Sequence, residues 1–480
     1  MYLGLDLGTS GLKALVMDAG GGVRAEATMA LSVARPENGW SEQAPADWVA
    51  AASGALDRLA AATDLSGVRG IGLSGQMHGA VALNARDEVL RPAILWNDTR
   101  AAAEAAALDA DPRFRAVTGN IVFPGFTAPK IAWLAAEDPD LAAEIARVLL
   151  PKDYLRLWLT GAAVSDMSDA SGTSWLDVGA RAWSSDLLMA TGLPVAAMPT
   201  LVEGSAVSAT MREDLARRWG LGPAVPVAGG AGDNAAAAIG VGAVAPGRGF
   251  VSLGTSGVLF VSTDGFRPDA ARAVHTFCHA VPETWHQMGV VLAATDALNW
   301  LAGLFGTDAS ALTGALRGMA APSGPLFLPY LGGERTPHND ARVRGVFTGL
   351  GHDSDQTALT RAVLDGVAFA LADCREALSA TGTEIGELVA VGGGARSELW
   401  LRILATALDT EIAVPEAGEY GAALGAARLG QMAAEGAGAE IAAPPAIATR
   451  IAPDPDLRTA YADAHARYRA TYAALKDLAP

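Results

Sequence analysis

The sequence predicts an α/β protein of two similar domains facing each other across a cleft, and three observations carry that expectation. The chain has 480 residues, beyond the ~250 to 300 at which a single hydrophobic core stops growing. Its composition is 51% hydrophobic and 18% charged, a globular profile. The pentapeptide Leu-Gly-Thr-Ser-Gly stands at Leu7–Gly11 and again at Leu253–Gly257, each time between short apolar runs. A repeat of domain length points to equivalent turns that hold one phosphate chain from opposite sides.

The elements follow in order. YLGLDL and LKALVM flank the first turn and read as a hairpin. Between Val23 and Val33, apolar and other residues alternate with period two, the mark of a half-buried strand. Trp48, Ala52, Ala55, Leu56 and Leu59 then repeat at helical spacing, and VRGIGLSG reads as a buried strand. The second half starts again with GFVSLGT and GVLFVST, apolar runs at Val274–Ala280 and Trp285–Leu292, and a helix over Ala293–Phe305. Cys374 lies on a helical stripe with Leu359, Val363, Val367, Ala370 and Leu378, which predicts a core position.

Charge and composition exclude several classes. The net charge is −17, and lysine occurs only at Lys13, Lys130, Lys152 and Lys476. No basic face is expected to attract nucleic acid. The longest Ala/Gly-rich run, Ala235–Gly249, is interrupted by Gly and Pro246 and falls short of a membrane span of ~20 residues. Cys278 and Cys374 give neither a disulfide framework nor zinc spacing. The first residues already read as a strand rather than a secretory signal, so a chain starting near Met1 in the cytoplasm is expected.

Three Gly-rich segments carry candidate chemistry. In LGLDLGTSGLK the glycines let the backbone approach a ligand, and Thr9, Ser10 and the turn amides offer donors to phosphate oxygens. Lys13 supplies a point charge, and Asp6 at the strand end suits Mg²⁺. A plain Gly turn with a capping Asp reads equally well there. The second turn keeps Gly254 and Thr255 but lacks the Asp and the Lys. The turn leads into a strand, unlike the strand-to-helix turn of Rossmann and P-loop units, and GxxxxGK[ST] is absent.

In VPVAGGAGDNAAAAIGVG a strand runs through glycines to Asp233 and Asn234 and into an Ala-rich helix. Asp233 reads either as a helix cap or as a general base exposed at a cleft. In VGGGARSELW, Gly392–Gly394 leave a flat backbone surface fit for a purine, although such a turn also serves packing. The histidines of HTFCHAVPETWH fit alternating strands better than a metal cage.

Taken together, DLGTSGLK, GQMHG, RPAILWNDTR, GFTAPK, LLPKDYLRL, SDMSDASGT, GDNAA, SLGTSG, LPYLGGERTPHN, GVFTGL and GGGARSELW resemble the FGGY carbohydrate kinases, from the first strand to about residue 430. The resemblance implies two actin-like, RNase H-like domains around a catalytic cleft: a sugar-binding domain over 1–244, a nucleotide-binding domain over 245–440 and a helical tail over 441–480. It implies ATP-dependent phosphorylation of a sugar. D-xylulose is the expected acceptor. Ribulose and gluconate are the alternatives within the family, and an actin- or chaperone-like ATPase is the alternative outside it. Asp233 becomes the expected base, with Asp6 beside it and Mg²⁺ held by both. Met77, His78, Asp233 and Asn234 would meet the sugar. Thr9, Ser10, Lys13, Gly254, Thr255, Asn299, Gly393 and Gly394 would meet ATP. The segment GFTAPKIAWLAAED follows the family pattern loosely near Ala136, and the sequence beyond Met432 is Ala-rich and uninformative. A homodimer is the expected assembly.

Overall fold

The expected hairpin is the centre of the first of two large sheets. The computed structural model describes residues 1–416 and 421–478. Tyr2–Leu7 and Gly11–Met17 pair antiparallel, so that Asp6 stands opposite Lys13 and Leu7 opposite Leu12. Val23–Ala30 extends the sheet on one side, and Gly70–Gly75 pairs parallel on the other, placing Ser74 beside Asp6. Pro226–Ala228 and then Val207–Thr210 complete the order. The central strands are buried on both faces, which explains their continuous apolar runs.

The second sheet repeats this plan. Gly249–Leu253 and Gly257–Thr263 form the hairpin, with Trp285–Val291 and His275–Cys278 outside it on one side. Leu388–Val391 joins parallel on the other, followed by Ile412–Pro415 and Ile447–Ile451. Cys374 is buried in the helix Gln356–Ser379, as its stripe predicts. Residues beyond 440, expected as a helical tail, supply both the edge strand Ile447–Ile451 and the helix Arg458–Leu475. That helix sinks Tyr461 and Tyr468 into the second core, where the Tyr468 hydroxyl donates to the Tyr330 oxygen at 2.7 Å.

Two junctions set how the halves meet. Helix Pro45–Ala62 covers one face of the first sheet, burying Trp48, Ala52, Ala55, Leu56 and Leu59. The other face is covered by a helix from late in the chain, Gly421–Glu435, which also packs along Asp233–Val241. Only glycine permits this approach. A Cβ on Gly425 would lie 1.8 Å from the Ala236 carbonyl oxygen, and one on Gly72 would lie 1.7 Å from that of Ala426. At the second junction, the outer edge of strand His275–Cys278 is capped by first-domain side chains. The Asn120 amide donates to the Thr276 carbonyl at 2.9 Å and accepts from its N–H at 3.0 Å, and Ser171 Oγ accepts from the Cys278 N–H at 3.0 Å. The edge strand's backbone groups are thereby satisfied without another strand.

Gly425→Ala should lower the unfolding midpoint by several degrees, an overpacking cost on the order of 1–3 kcal/mol. Gly303→Ala, on an open helix face with nothing near a new Cβ, should leave it unchanged or raise it. Thermal denaturation of the two variants checks the pair.

Candidate active site

The two carboxylates singled out in the sequence face one another electrostatically at the floor of the cleft. Asp6 sits on the strand entering the first turn, and its Oδ1 is buried with no hydrogen-bond partner. Burial pushes its carboxyl up to about 6, with Ser74 and Lys13 pulling part of the way back. Asp233 opens the helix Asp233–Val241, and its Oδ1 accepts from the Asn234 N–H at 2.7 Å and from the Asn234 side-chain amide at 2.9 Å. Burial first, and the charge of Asp6 second, push Asp233 up to about 6 as well. An orphaned buried oxygen and two acids raised by burial, the second also by the charge of the first, fit a cation between them, and Asp6 with Asp233 would hold Mg²⁺. Asn234 spends its amide on the base, which leaves its carbonyl oxygen for a ligand.

On the sugar side, Met77 is buried against the turn that precedes Asp233. A Cβ on Gly232 would meet Met77 Cγ at 2.7 Å. His78 has a φ of 69°, a left-handed conformation that a residue with a Cβ adopts at a cost. Its carbonyl is held by Lys130 Nζ at 2.9 Å and Thr127 Oγ1 at 3.1 Å, and its ring stacks on Phe126 at 4.4 Å. His78 Nδ1 lies 2.8 Å from the Gly172 carbonyl oxygen, so Nδ1 carries the proton and Nε2 is left as an acceptor. Burial lowers His78 to about 3, against the pull of that carbonyl and with Lys130 and Arg335 adding to it, so the ring is neutral at working pH.

The sequence reading missed the supports of this side. Lys130, Thr127 and Phe126 fall in the recognised GFTAPK stretch, but nothing local says that they reach back to His78. Trp96, exposed at the cleft, donates from Nε1 to Thr9 Oγ1 at 2.9 Å, and the Thr9 hydroxyl donates onward to Gln76 at 2.9 Å. Thr9, expected at phosphate, therefore spends its hydroxyl proton on the sugar-side wall, and its N–H remains for a ligand. Lys13, also expected at phosphate, forms an ion pair with Glu26 at 3.0 Å on the same sheet. Ser10 is exposed at the tip of the turn, where its carbonyl accepts from the Leu31 N–H.

The nucleotide residues from the second half come together. Asn299, Gly393 and Gly394 line one cavity of about 590 Å³ with Thr295, Thr313 and Arg396. The second turn borders it, because Thr295 donates to the Gly254 carbonyl from both N–H and Oγ1, and the Ala294 N–H donates to the Thr255 carbonyl. A Cβ on Gly394 would strike Leu253 Cβ at 2.8 Å, which explains the flat floor.

Beneath the sugar side lies a sealed charge cluster that periodicity could not reveal. Lys152 Nζ is 2.5, 2.8 and 3.3 Å from Asp153, Asp166 and Asp169, all fully buried. Burial alone would lower this lysine, but the three carboxylates outweigh it and hold it above its ordinary range. The ammonium occupies the place a metal would take. Asp166 also accepts from the Ser168 hydroxyl at 2.5 Å, and Ser168 Oγ accepts from the Gly232 N–H at 3.1 Å, which ties the cluster to the residue before Asp233.

Two carbohydrate-kinase domain models match the chain. The FGGY family N-terminal domain covers residues 1–240, and the C-terminal domain covers 249–434. The chain belongs to the FGGY family of carbohydrate kinases. A xylulose kinase of Escherichia coli K12 is 47% identical over 90% of each chain, and one of Bacillus subtilis is 36% identical over 89% of this chain and 87% of the other. Among solved structures, a xyloylose kinase from Brucella ovis matches with a TM-score of 0.98 at 57% identity over 99% of both chains. A xylulose kinase from Rhodospirillum rubrum gives 0.92 at 29% identity, again over 99% of both. The two-domain actin-like fold implied by the motifs is thus the fold of this chain, and a sugar kinase is the class of enzyme it belongs to.

As the base the resemblance implies, Asp233 must be ionised to accept a proton, and its carboxyl is held at about 6. Activity with sugar and MgATP both subsaturating, where the unliganded carboxyls titrate, should therefore fall tenfold or more per pH unit below about pH 6 and level off above it. A pH profile of kcat/KM for the sugar checks this, and a limb near pH 4 would show that the neighbouring charge and burial do not act on the working base.

Proposed function

We propose that the chain transfers the γ-phosphoryl group of ATP to D-xylulose, giving D-xylulose 5-phosphate. The observation that carries the reading is the pair Asp6 and Asp233, set between a sugar-side wall with a neutral His78 acceptor and a nucleotide-side cavity bordered by the second turn. Relatives named xylulose kinase across nine-tenths of the chain support the choice of acceptor.

In this reading the C5 hydroxyl of the sugar lies against Asp233, and His78 Nε2 and the Asn234 carbonyl accept from hydroxyls further along the chain. Phosphoryl transfer through a loose transition state is mostly alignment and charge neutralisation. Asp233 takes the hydroxyl proton late, so a carboxylate near 6 is basic enough. Asn234 keeps its Oδ1 oriented. The amides of the Gly8–Gly11 and Gly254–Gly257 turns donate to phosphate oxygens, and Gly393 and Gly394 seat the purine beside Asn299. Mg²⁺, when bound by Asp6 and Asp233, supplies charge neutralisation at the phosphates.

We propose further that 1–244 is the sugar domain, 245–440 the nucleotide domain and 441–480 a tail. The assembly we propose is a cytoplasmic homodimer, the commonest oligomer type. No helix among the described residues is long and apolar enough to cross a membrane.

ADP release measured over a panel of D-xylulose, D-ribulose, xylitol and gluconate should show the highest kcat/KM for D-xylulose. Asp233→Ala should reduce kcat on it by two or more orders of magnitude. Preference for another acceptor would overturn the substrate, and unchanged turnover in the variant would overturn the base.

A further inference from the structure

Beyond the sugar-side groups already described, one cation faces this wall from the opposite domain with a single long side-chain hydrogen bond, to His275. Arg335 lies in the loop after Leu331, pinned to the end of strand Trp285–Val291. Glu334 Oε1 accepts from the Arg335 N–H at 2.7 Å and the Leu292 N–H at 3.0 Å, and the Thr336 N–H donates to the Val290 carbonyl at 3.1 Å. The backbone is fixed, so the side chain has a defined reach.

That reach crosses to the first domain. The guanidinium sits over the Phe123 ring at 4.5 Å, and Nη1 lies 3.5 Å from His275 Nε2. Phe123 packs on Phe126 at 5.5 Å, and Phe126 is the ring on which His78 stacks. Arg335 therefore stands at the His78 end of the wall. It contributes to lowering His78, whereas the charge acting on Asp233 is that of Asp6. Among the described residues it has no ion-pair partner. Burial lowers this guanidinium, and the charge of Glu334 and the Phe123 ring face restore only part of the loss. The remaining N–H groups form a planar fork that suits two adjacent oxygen acceptors.

A pentulose presents such a pair at the end remote from the hydroxyl that is phosphorylated: the C2 carbonyl oxygen and the C1 hydroxyl. We propose that Arg335 donates to these two oxygens and so reads the ketose end of the acceptor from the nucleotide-side domain while the C5 hydroxyl meets Asp233. This rests on the D-xylulose reading above. A ketose then bridges His78 of one domain and Arg335 of the other, and a pentitol offers a tetrahedral C2 hydroxyl in place of the planar carbonyl, a poorer match to the fork.

The test is steady-state kinetics of the full chain and of Arg335→Gln and Arg335→Lys with D-xylulose, xylitol and ATP, alongside thermal denaturation. Arg335→Gln should raise KM for D-xylulose by about tenfold or more while KM for ATP stays within about twofold, and its preference for D-xylulose over xylitol should shrink. Arg335→Lys, which keeps the charge without the fork, should recover only part of the loss. KM for D-xylulose within about twofold of wild type in Arg335→Gln would overturn the assignment. So would a parallel rise in both KM values with a lowered unfolding midpoint, the signature of a packing role. If wild type rejects D-xylulose but accepts another ketose, the substrate reading fails on its own, and Arg335 is judged by the same KM split on the accepted sugar.

Discussion

The molecule is organised around two buried acids that disfavour each other's charge. Asp6 and Asp233 come from different secondary-structure types, a strand end and a helix start, and each is held in place by its own backbone. Burial raises both carboxyls toward 6, and the charge of Asp6 adds to the rise of Asp233. A site arranged this way suits a cation and an anionic ligand that brings it. The next layer holds charge of both signs, where Lys152 and Arg156 face Asp153, Asp166 and Asp169, and burial pushes the Asp169 carboxyl well above its ordinary range.

The fold keeps these acids in register with the two turns through close backbone contact rather than through large side chains. The helix that covers the first sheet comes from the end of the second half, so its Gly and Ala face ties residues near 72 to residues near 425. The Asn120 and Ser171 caps on strand His275–Cys278 tie the halves a second time, beside the sugar-side wall. The His78 backbone, held left-handed by Lys130 and Thr127, shows the same economy: local strain is kept because three elements determine it.

Short-range pattern made much of this legible. The duplicated hairpins, the alternating strand at Val23 and the helix stripe at Trp48 needed only neighbours in sequence, and each stands where it was expected. Asp233 at a helix start was legible as a position, its expected role came from the family resemblance, and the charge of Asp6 acting on it was not legible. What stayed hidden was long-range. Lys130 reaches the carbonyl of His78 across 52 positions, Trp96 bonds Thr9 across 87, and no periodicity encodes either. Lys13 has a partner that its position after a Gly turn did not announce, Glu26 on the neighbouring strand. The packing of the Gly and Ala face near 425 was not legible because smallness, the property that matters there, does not register as a hydrophobic pattern.

The central claim is that the acid pair waits for a cation. Calorimetric titration of MgADP into the protein, in buffers of differing ionisation enthalpy, measures protons released on binding. With both carboxyls near 6, binding at pH 6 should release close to about one proton per chain, and binding at pH 8 should release almost none. Proton release that is absent at pH 6 would contradict the account.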